Sequence, residues 1–516
     1  MVLHEDKLGQ TLLVPTNLLD LIPENHACFF VQKLVGEVDF AEIHAEFVGN
    51  AGMKAYSRRM LARLVIMASI DGIRSSRKIA KLTEENVVYM YLCGGDSPSY
   101  RTIINFRNEY GYLLEKILTL TISLAREANM VNLNEISFDG STIKANSSSQ
   151  SIVSEKDLKL ARKIINEGKN ADIEEDKKYG EKRGDEVSKD LTLKGKIKKL
   201  VKKSTSNEKT SDGEKIHFNS KEVDKIDKAI EEAEKIKKEQ EMKESDKKEG
   251  KEINVSLSDP EARWMKNKKG KIEQSFNVQN TVDVKEGIIL RTEVVQDQTD
   301  HHQLKPQIEG LKEIINEDLK DSKILADNGF NTGESIEYLY KNNLNGFIPS
   351  RAQASKDKKN VKQYSKAKFQ YDIDKNHYIC PNNKILPHQN TYKYKGKEKK
   401  VYYTNECKNC QNKNECTPKS NYRIITHYTT NYQDLMHQKM EQKENKEIYK
   451  KRIIVERSFA YMKHVQNFRQ TNVRGTEKIQ NELNLIAVTH NITRIHNHLN
   501  NINHEHIEND KITATC

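Results

Sequence analysis

No stretch of the 516 residues is apolar for long enough to cross a bilayer. The longest, Leu61–Ile70, is interrupted by Arg63 and reads instead as a buried core helix. The opening MVLHEDKLGQTLLVP has neither the basic n-region nor the apolar h-region of a secretory signal, so a reducing cytoplasm and no membrane partner are expected. Seven cysteines are too few for a disulfide scaffold in a chain of this size. No segment repeats at a fixed period. Hydrophobic residues are scarce, at 36% with a mean hydropathy of −0.81, so a substantial part of the chain must be solvated rather than packed. Negative charge is in deficit: 86 Lys and Arg against 75 Asp and Glu leave +11, which argues for an anionic partner without saying which. What is abundant is Lys, Asn and Ile, the bias of an AT-rich genome. The length accommodates two or three domains with a sizeable core.

The front of the chain, residues 1–130, reads as helical. Phe29, Phe30, Leu34, Val35, Leu61, Leu64, Val65 and Ile66 recur at helical spacing. Gly72–Arg77 breaks one helix and offers Ser75 and Ser76 as caps for the next. Short helices with exposed Arg and Lys suit a helix-turn-helix-like DNA reader; an all-α packing domain fits the same pattern. Ile136–Asp139 alternates as a strand that ends at Asp139 and leads into a loop, giving residues 131–150 as the first part of an α/β core. Residues 151–255 shift abruptly to Lys, Glu and Asp. IDKAIEEAEKIKKEQ carries opposite charges four residues apart over a thin apolar stripe, which predicts a charged helical or partly disordered insert. The core resumes over 256–352. Phe276, Val278, Asn280, Val282 and Val284 alternate, Gly287 turns the chain into IILRTEVVQ, and helix, strand (KILA), helix and strand (NGFIPS) follow.

Asp139 is placed at the end of the first strand and Asp327 at the end of KILA. Carboxylates at the ends of neighbouring strands converge at one sheet edge, where they repel unless a proton or cation lies between them. Hard oxygen ligands of this kind suit Mg²⁺. A third acid comes from a helix, Glu447–Val465. Tyr449, Arg452, Glu456 and Lys463 lie at offsets that fall within roughly 60° of one another at about 100° per residue, one stripe on a continuous helix. An exposed helix with ordinary ion pairs would show the same stripe.

The spacing Tyr449-x2-Arg452-x3-Glu456-x6-Lys463 resembles the signature of IS4/IS5-type DDE transposases. Asp327-x-Gly329-Phe330 and Asp139-Gly140-Ser141-Thr142 resemble the segments round the second and first acids of those enzymes. The order DPEARWMK, NVQNTVD, four cysteines and RGTEKIQNELNLIAVTHNITR is most similar to the IS1182 group, and the likeness spans nearly all of the chain except the charged insert and the last residues. The resemblance implies a ribonuclease-H-like DDE catalytic core, a mixed sheet flanked by helices, with an all-α N-terminal domain and two inserts. It implies that Asp139, Asp327 and Glu456 hold two Mg²⁺ or Mn²⁺ ions and carry out cleavage and strand transfer on the terminal inverted repeats and target DNA of a bacterial insertion sequence. Arg452 and Lys463 would then contact phosphates and Tyr449 would position the strand. A homodimer is expected because two ends are joined, at the nucleoid in the cytoplasm. A catalytically silent DNA-binding descendant, or a nuclease that cuts without joining, would share many of these features.

Two more features are read from the residues themselves. Phe468–Gly475 adds Arg469 and Arg474 beyond the catalytic helix, either as contacts to DNA backbone or as a basic loop with no partner. Residues 353–442 form a second insert with Cys380, Cys407, Cys410 and Cys416. The CKNC knuckle has zinc-ligand spacing and Cys380 would complete a closed, structural Zn²⁺ shell; four reduced thiols in a small β domain are the alternative. Tyr392, Tyr394, Tyr402 and Tyr403 of that insert are available to stack on bases. Cys28, Cys93 and Cys516 show no pattern. Residues 443–498 close the core and 499–516 are expected to be a disordered tail.

Overall fold

The computed structural model describes residues 17–40, 55–166, 192–205, 216, 218–243, 252–267, 270–356, 362–394, 397–427 and 430–513. The first cap helices, and the caps explain why a polar sequence forms discrete short ones. Ser57 caps Arg58–Ile70, Ser75 caps Ser76–Glu85, Asn86 caps Val87–Cys93 and Ser99 caps Tyr100–Glu109; each side-chain oxygen accepts a free backbone N–H. Gly94, at φ 62°, stops the third of these helices with the left-handed turn that glycine adopts without strain. Arg58–Ile70 is buried along Leu61, Leu64 and Ile66, as its apolar run requires. This front is not packed on itself alone. Its apolar side chains share one cluster with Phe276, Val278 and Ile289 of the sheet and with Ile479, Leu483 and Ile486 of the long helix Thr476–Thr513.

The central sheet is mixed. β1 (Glu135–Lys144) lies between β5 (Ile272–Asp283), which is antiparallel to it, and β7 (Lys323–Ala326), which is parallel; β8 (Asn345–Phe347) is parallel to β7. β4 (Arg263–Lys266) and β6 (Ile289–Val295) both pair with β5. The hairpin at Gly287, φ 67°, and the helices Leu304–Ile315 and Gly333–Lys341 fall where the alternation and amphipathicity place them. The first strand differs from expectation. It does not end at Asp139 but runs on to Lys144, because Gly140–Lys144 stay paired with Gln279–Ser275 of β5. What ends at Asp139 is the parallel ladder, whose last pair is Phe138 with Ala326. Asp139 and Asp327 are therefore each the first residue beyond that ladder.

The charged insert is closed at its base by β2 (Ile152–Ser154) and β3 (Asn254–Ser256), an antiparallel pair. Around it, residues 155–166, Leu193–Thr205 and Ser220–Lys243 are helical, and Leu158, Ile197, Phe218, Ile226 and Ala233 bury a small core of their own. Much of the Lys/Glu-rich remainder lies outside the described residues. In the second insert, β9 (Gln370–Asp372), β10 (His377–Ile379), β11 (Ile385–Tyr394), β12 (Lys397–Tyr402) and β13 (Ile425–His427) form a five-stranded sheet over Phe369, Leu386 and Ile425. Tyr402 is wholly buried in that core, so it is not free to stack on a base. Helix Asn431–Glu441 leaves the insert and packs Met436 and Met440 on the main core. The helix Thr476–Thr513 runs on into residues 499–513, where the sequence leads one to expect a disordered tail. With no Gly or Pro to stop it, a helix already nucleated by a packed first half extends at little further cost. Cys516 lies outside the described residues.

One buried carboxyl has a measurable consequence. Asp259 is wholly buried; its Oδ1 accepts the Gly475 N–H at 3.2 Å and its Oδ2 has no partner among the described residues. Burial pushes the carboxyl up to about 7, the Gly475 N–H opposing and Glu261 adding. A folded pKa above the unfolded one binds protons on folding, so this group's contribution is present below about pH 4 and is lost as pH rises through 7. Asp259→Asn is expected to stabilise the chain by on the order of 2–4 kcal/mol in denaturant melts near pH 8, a gain that vanishes toward pH 4. Equal stability of the two proteins near pH 8 would refute the buried-charge account.

Candidate active site

Asp139 presents its carboxylate just beyond the last β1–β7 pair, its Oδ1 accepting the Gly140 N–H at 2.9 Å. Asp327 does the same on β7, accepting the Gly329 N–H at 2.7 Å. The helical segment that carries the third acid lies across them. Ser137 of β1 donates its hydroxyl to the Arg452 carbonyl at 3.1 Å, and Asn280 of β5 donates to Ser458 Oγ at 2.9 Å. These two bonds from neighbouring strands fix the segment's place over the sheet.

That segment is not the continuous α-helix expected. It is helical over Lys443–Lys450, tightens to a 3₁₀ turn over Lys451–Ile453, returns to α over Ile454–Ala460 and widens to a π turn over Tyr461–Val465. The simple stripe of offsets therefore does not hold, yet the side chains still converge. Arg452 pairs with Asp139 (3.3 Å) and with Glu456 (2.9 Å), and its guanidinium lies 5.9 Å from the centre of the Tyr449 ring. Lys463 leaves from the π turn and reaches farther along β1, donating to Ser141 Oγ at 2.5 Å and to the Thr142 carbonyl at 3.3 Å. A π turn re-aims a side chain in this way, and such turns are frequent at functional sites.

The electrostatics are those of crowded acids. Burial pushes the Asp139 carboxyl up to about 7; Arg452 opposes this, while Asp327 and Asp300 add to it. Asp327 is also raised, by burial first and by Asp300, with the Gly329 N–H and Arg452 working the other way. Burial works against the charge of Arg452, but Asp139, Tyr449, Asp327 and Glu456 raise its pKa overall. The Tyr449 hydroxyl is raised by burial. An excess of negative charge with one guanidinium among it is an arrangement that a divalent cation would relieve. Asp300, which enters both carboxyl shifts, escaped the sequence reading. Its only signal was an Asp in the polar DQTDHH turn before a helix.

Arg469 and Arg474 are exposed on a loop held to the end of β1: Lys144 N–H bonds the Arg469 carbonyl, and Arg474 donates to the Asn146 carbonyl at 3.0 Å. Cys380, Cys407, Cys410 and Cys416, all free thiols, line one cavity with Tyr364 and Phe369. The Lys384 N–H points at Cys380 Sγ, 3.3 Å away, and the Cys416 thiol is raised by burial and, beyond the opposing Arg423, by the other three thiols. Among the described residues, no three His, Cys, Asp or Glu side chains are drawn together tightly enough to hold an ion as they stand. Nor is any described helix long and apolar enough to cross a membrane.

Compared with known families, residues 379–496 match the Transposase DDE domain and residues 16–109 match the Transposase domain (DUF772). No curated protein matches the chain. Glu456, its neighbours and the four cysteines fall inside the first matched span, while Asp139 and Asp327 lie outside both. The two transposase domains fit an insertion-sequence transposase of the IS1182 type.

Proposed function

Taking the chain as such a transposase, we propose that it binds the terminal inverted repeats of its element and catalyses DNA cleavage and strand transfer by a DDE mechanism, with Asp139, Asp327 and Glu456 as the acids. The observation that carries this reading is the convergence of Asp139 and Asp327 at one sheet edge, beneath the Arg452–Glu456 pair. The strand order, with β1 between an antiparallel and a parallel neighbour, supports a ribonuclease-H-like core. The donor set fits two Mg²⁺ or Mn²⁺ ions: hard carboxylate oxygens, crowded and short of positive charge. When bound there, such ions supply Lewis-acid assistance to the attacking and leaving oxygens of an in-line displacement.

In this reading Asp139, Asp327 and Glu456 would hold the ions, and Arg452, which pairs with Asp139 and Glu456, would contact a DNA phosphate. Lys463 grips a second phosphate beside Ser141, Tyr449 positions the strand, and Arg469 and Arg474 hold the backbone of the element end. Two ends are joined, so a homodimer is the working unit, acting at the nucleoid of a bacterial cytoplasm. The test is to incubate purified protein and Mg²⁺ with labelled DNA carrying the flanking repeats. Cut and joined products support the proposal; binding without cutting points to a silent DNA-binding descendant, and cutting without joining to a nuclease.

The second insert supports a structural site, and we propose that Cys380, Cys407, Cys410 and Cys416 close on one Zn²⁺ as thiolates. Elemental analysis of the purified chain is expected to find about one zinc per chain, lost on joint Cys407→Ser and Cys410→Ser substitution. A zinc-free chain whose melting is unchanged by a chelator would leave four plain thiols.

A further inference from the structure

Asp300 occupies the turn Asp300–His302 that leads into the helix Leu304–Ile315. Its Oδ1 accepts from Asn277 Nδ2 at 2.8 Å and from Gln279 Nε2 at 2.6 Å. Those amides stand on β5 opposite Thr142 and Gly140 of β1, so they hold the carboxylate against the backbone that follows Asp139. The approach is close. A Cβ on Gly140 would stand 2.1 Å from Asp300 Oδ1 and 2.4 Å from Gln279 Nε2. The other carboxylate oxygen lies toward the second acid: a single point, where a Cβ on Gly329 would be, is 2.8 Å from Asp327 Oδ1 and 3.7 Å from Asp300 Oδ2. Glycine at 140 thus leaves room for Asp300 against β1, and glycine at 329 for Asp327 and Asp300 to approach one corner, which gives a physical reason for both glycines beside the acids.

A second observation concerns Gln279. Its side chain is almost wholly buried, its Nε2 is spent on Asp300, and its Oε1 has no hydrogen-bond partner among the described residues. A buried acceptor left unpaired costs on the order of 1–3 kcal/mol, a cost that a nearby cation or one of its waters removes. The anchored Asp300 carboxylate is therefore held by a side chain that itself carries an orphan oxygen, and both are hard donors.

We propose that Asp300 is a fourth carboxylate of the cation site, a ligand of the divalent ion it shares with Asp327, held in place by Asn277 and Gln279. The proposal rests on the reading of Asp139, Asp327 and Glu456 as the metal-binding acids. It is tested by Mn²⁺ titration of the full chain without DNA, followed by electron paramagnetic resonance, for wild type, Asp139→Asn and Asp300→Asn. Asp300→Asn keeps an acceptor for the two amides and is expected to weaken Mn²⁺ binding by about ten- to a hundredfold. Wild-type affinity in Asp300→Asn, with binding lost in Asp139→Asn, overturns the role of Asp300 alone. A wild-type chain that binds no Mn²⁺ overturns the metal reading and this proposal with it. Should Asp300→Asn not fold, anomalous scattering from Mn²⁺-soaked wild-type crystals decides the matter: a peak with Asp300 in its coordination shell supports the assignment, and a shell without it refutes it.

Discussion

Asp139→Asn, Asp327→Asn and Glu456→Gln are each expected to leave binding of the element ends near the wild-type level and to lower both cleavage and joining by roughly a thousandfold or more. The magnitude follows from charge. Asp139 and Asp327 are half-buried acids whose ionised forms crowd each other, and Arg452, between Asp139 and Glu456, opposes that crowding. If these acids hold the proposed cation, neutralising one donor would weaken a hold that supplies several kcal/mol of transition-state stabilisation, and about 4 kcal/mol corresponds to a thousandfold. The amide replacements keep the shape, so the backbone bonds from Gly140 and Gly329 to an acceptor oxygen are retained. Scoring binding, cutting and joining on the same labelled ends separates the roles. Any of the three variants that cuts as fast as wild type removes that residue from the catalytic set.

The second large effect lies far from the acids. Glu482, on the long helix, pairs through one oxygen with Arg74 at 2.6 Å and with Arg107 at 3.3 Å, and its side chain is 3% exposed. Arg74 precedes the helix Ser76–Glu85 and Arg107 lies in Tyr100–Glu109, so one carboxylate ties two front helices to the C-terminal part of the core. Glu482→Gln leaves two largely buried cations facing a neutral amide. Removing one partner of a buried pair typically costs about 3–5 kcal/mol, and urea unfolding is expected to show a loss of that size. Lys81→Ala, which breaks the exposed pair with Glu85, is the control and is expected to change nothing measurable. A Glu482→Gln protein as stable as wild type would mean that the clasp carries no net energy.

The four-residue helix signature was legible because it rests on residue types and spacing, which stand in the sequence whatever the backbone does between them. Its geometry was not: the 3₁₀ turn at Lys451–Ile453 and the π turn at Tyr461–Val465 are set by what the sheet offers beneath, Ser137 to the Arg452 carbonyl and Ser141 to Lys463. The burial of Tyr402 was hidden for a related reason. In a strand whose far face is covered by other strands' side chains, a Tyr looks no different from an exposed one.

From the sequence alone came the elements with strong local causes. Ser75 starts a helix because a hydroxyl satisfies free N–H groups, Gly287 turns a hairpin because φ is positive there, and KILA is a strand because a short apolar run needs burial on both faces. Tertiary structure alone decided that β1 runs past Asp139, since Gly140–Lys144 is extended only because β5 pairs with it. It alone placed Asp300 beside Asp327, through two amides from a strand about twenty residues upstream. A carboxylate's partners across a sheet edge depend on register and crossover, and neither is written in the residues that flank it.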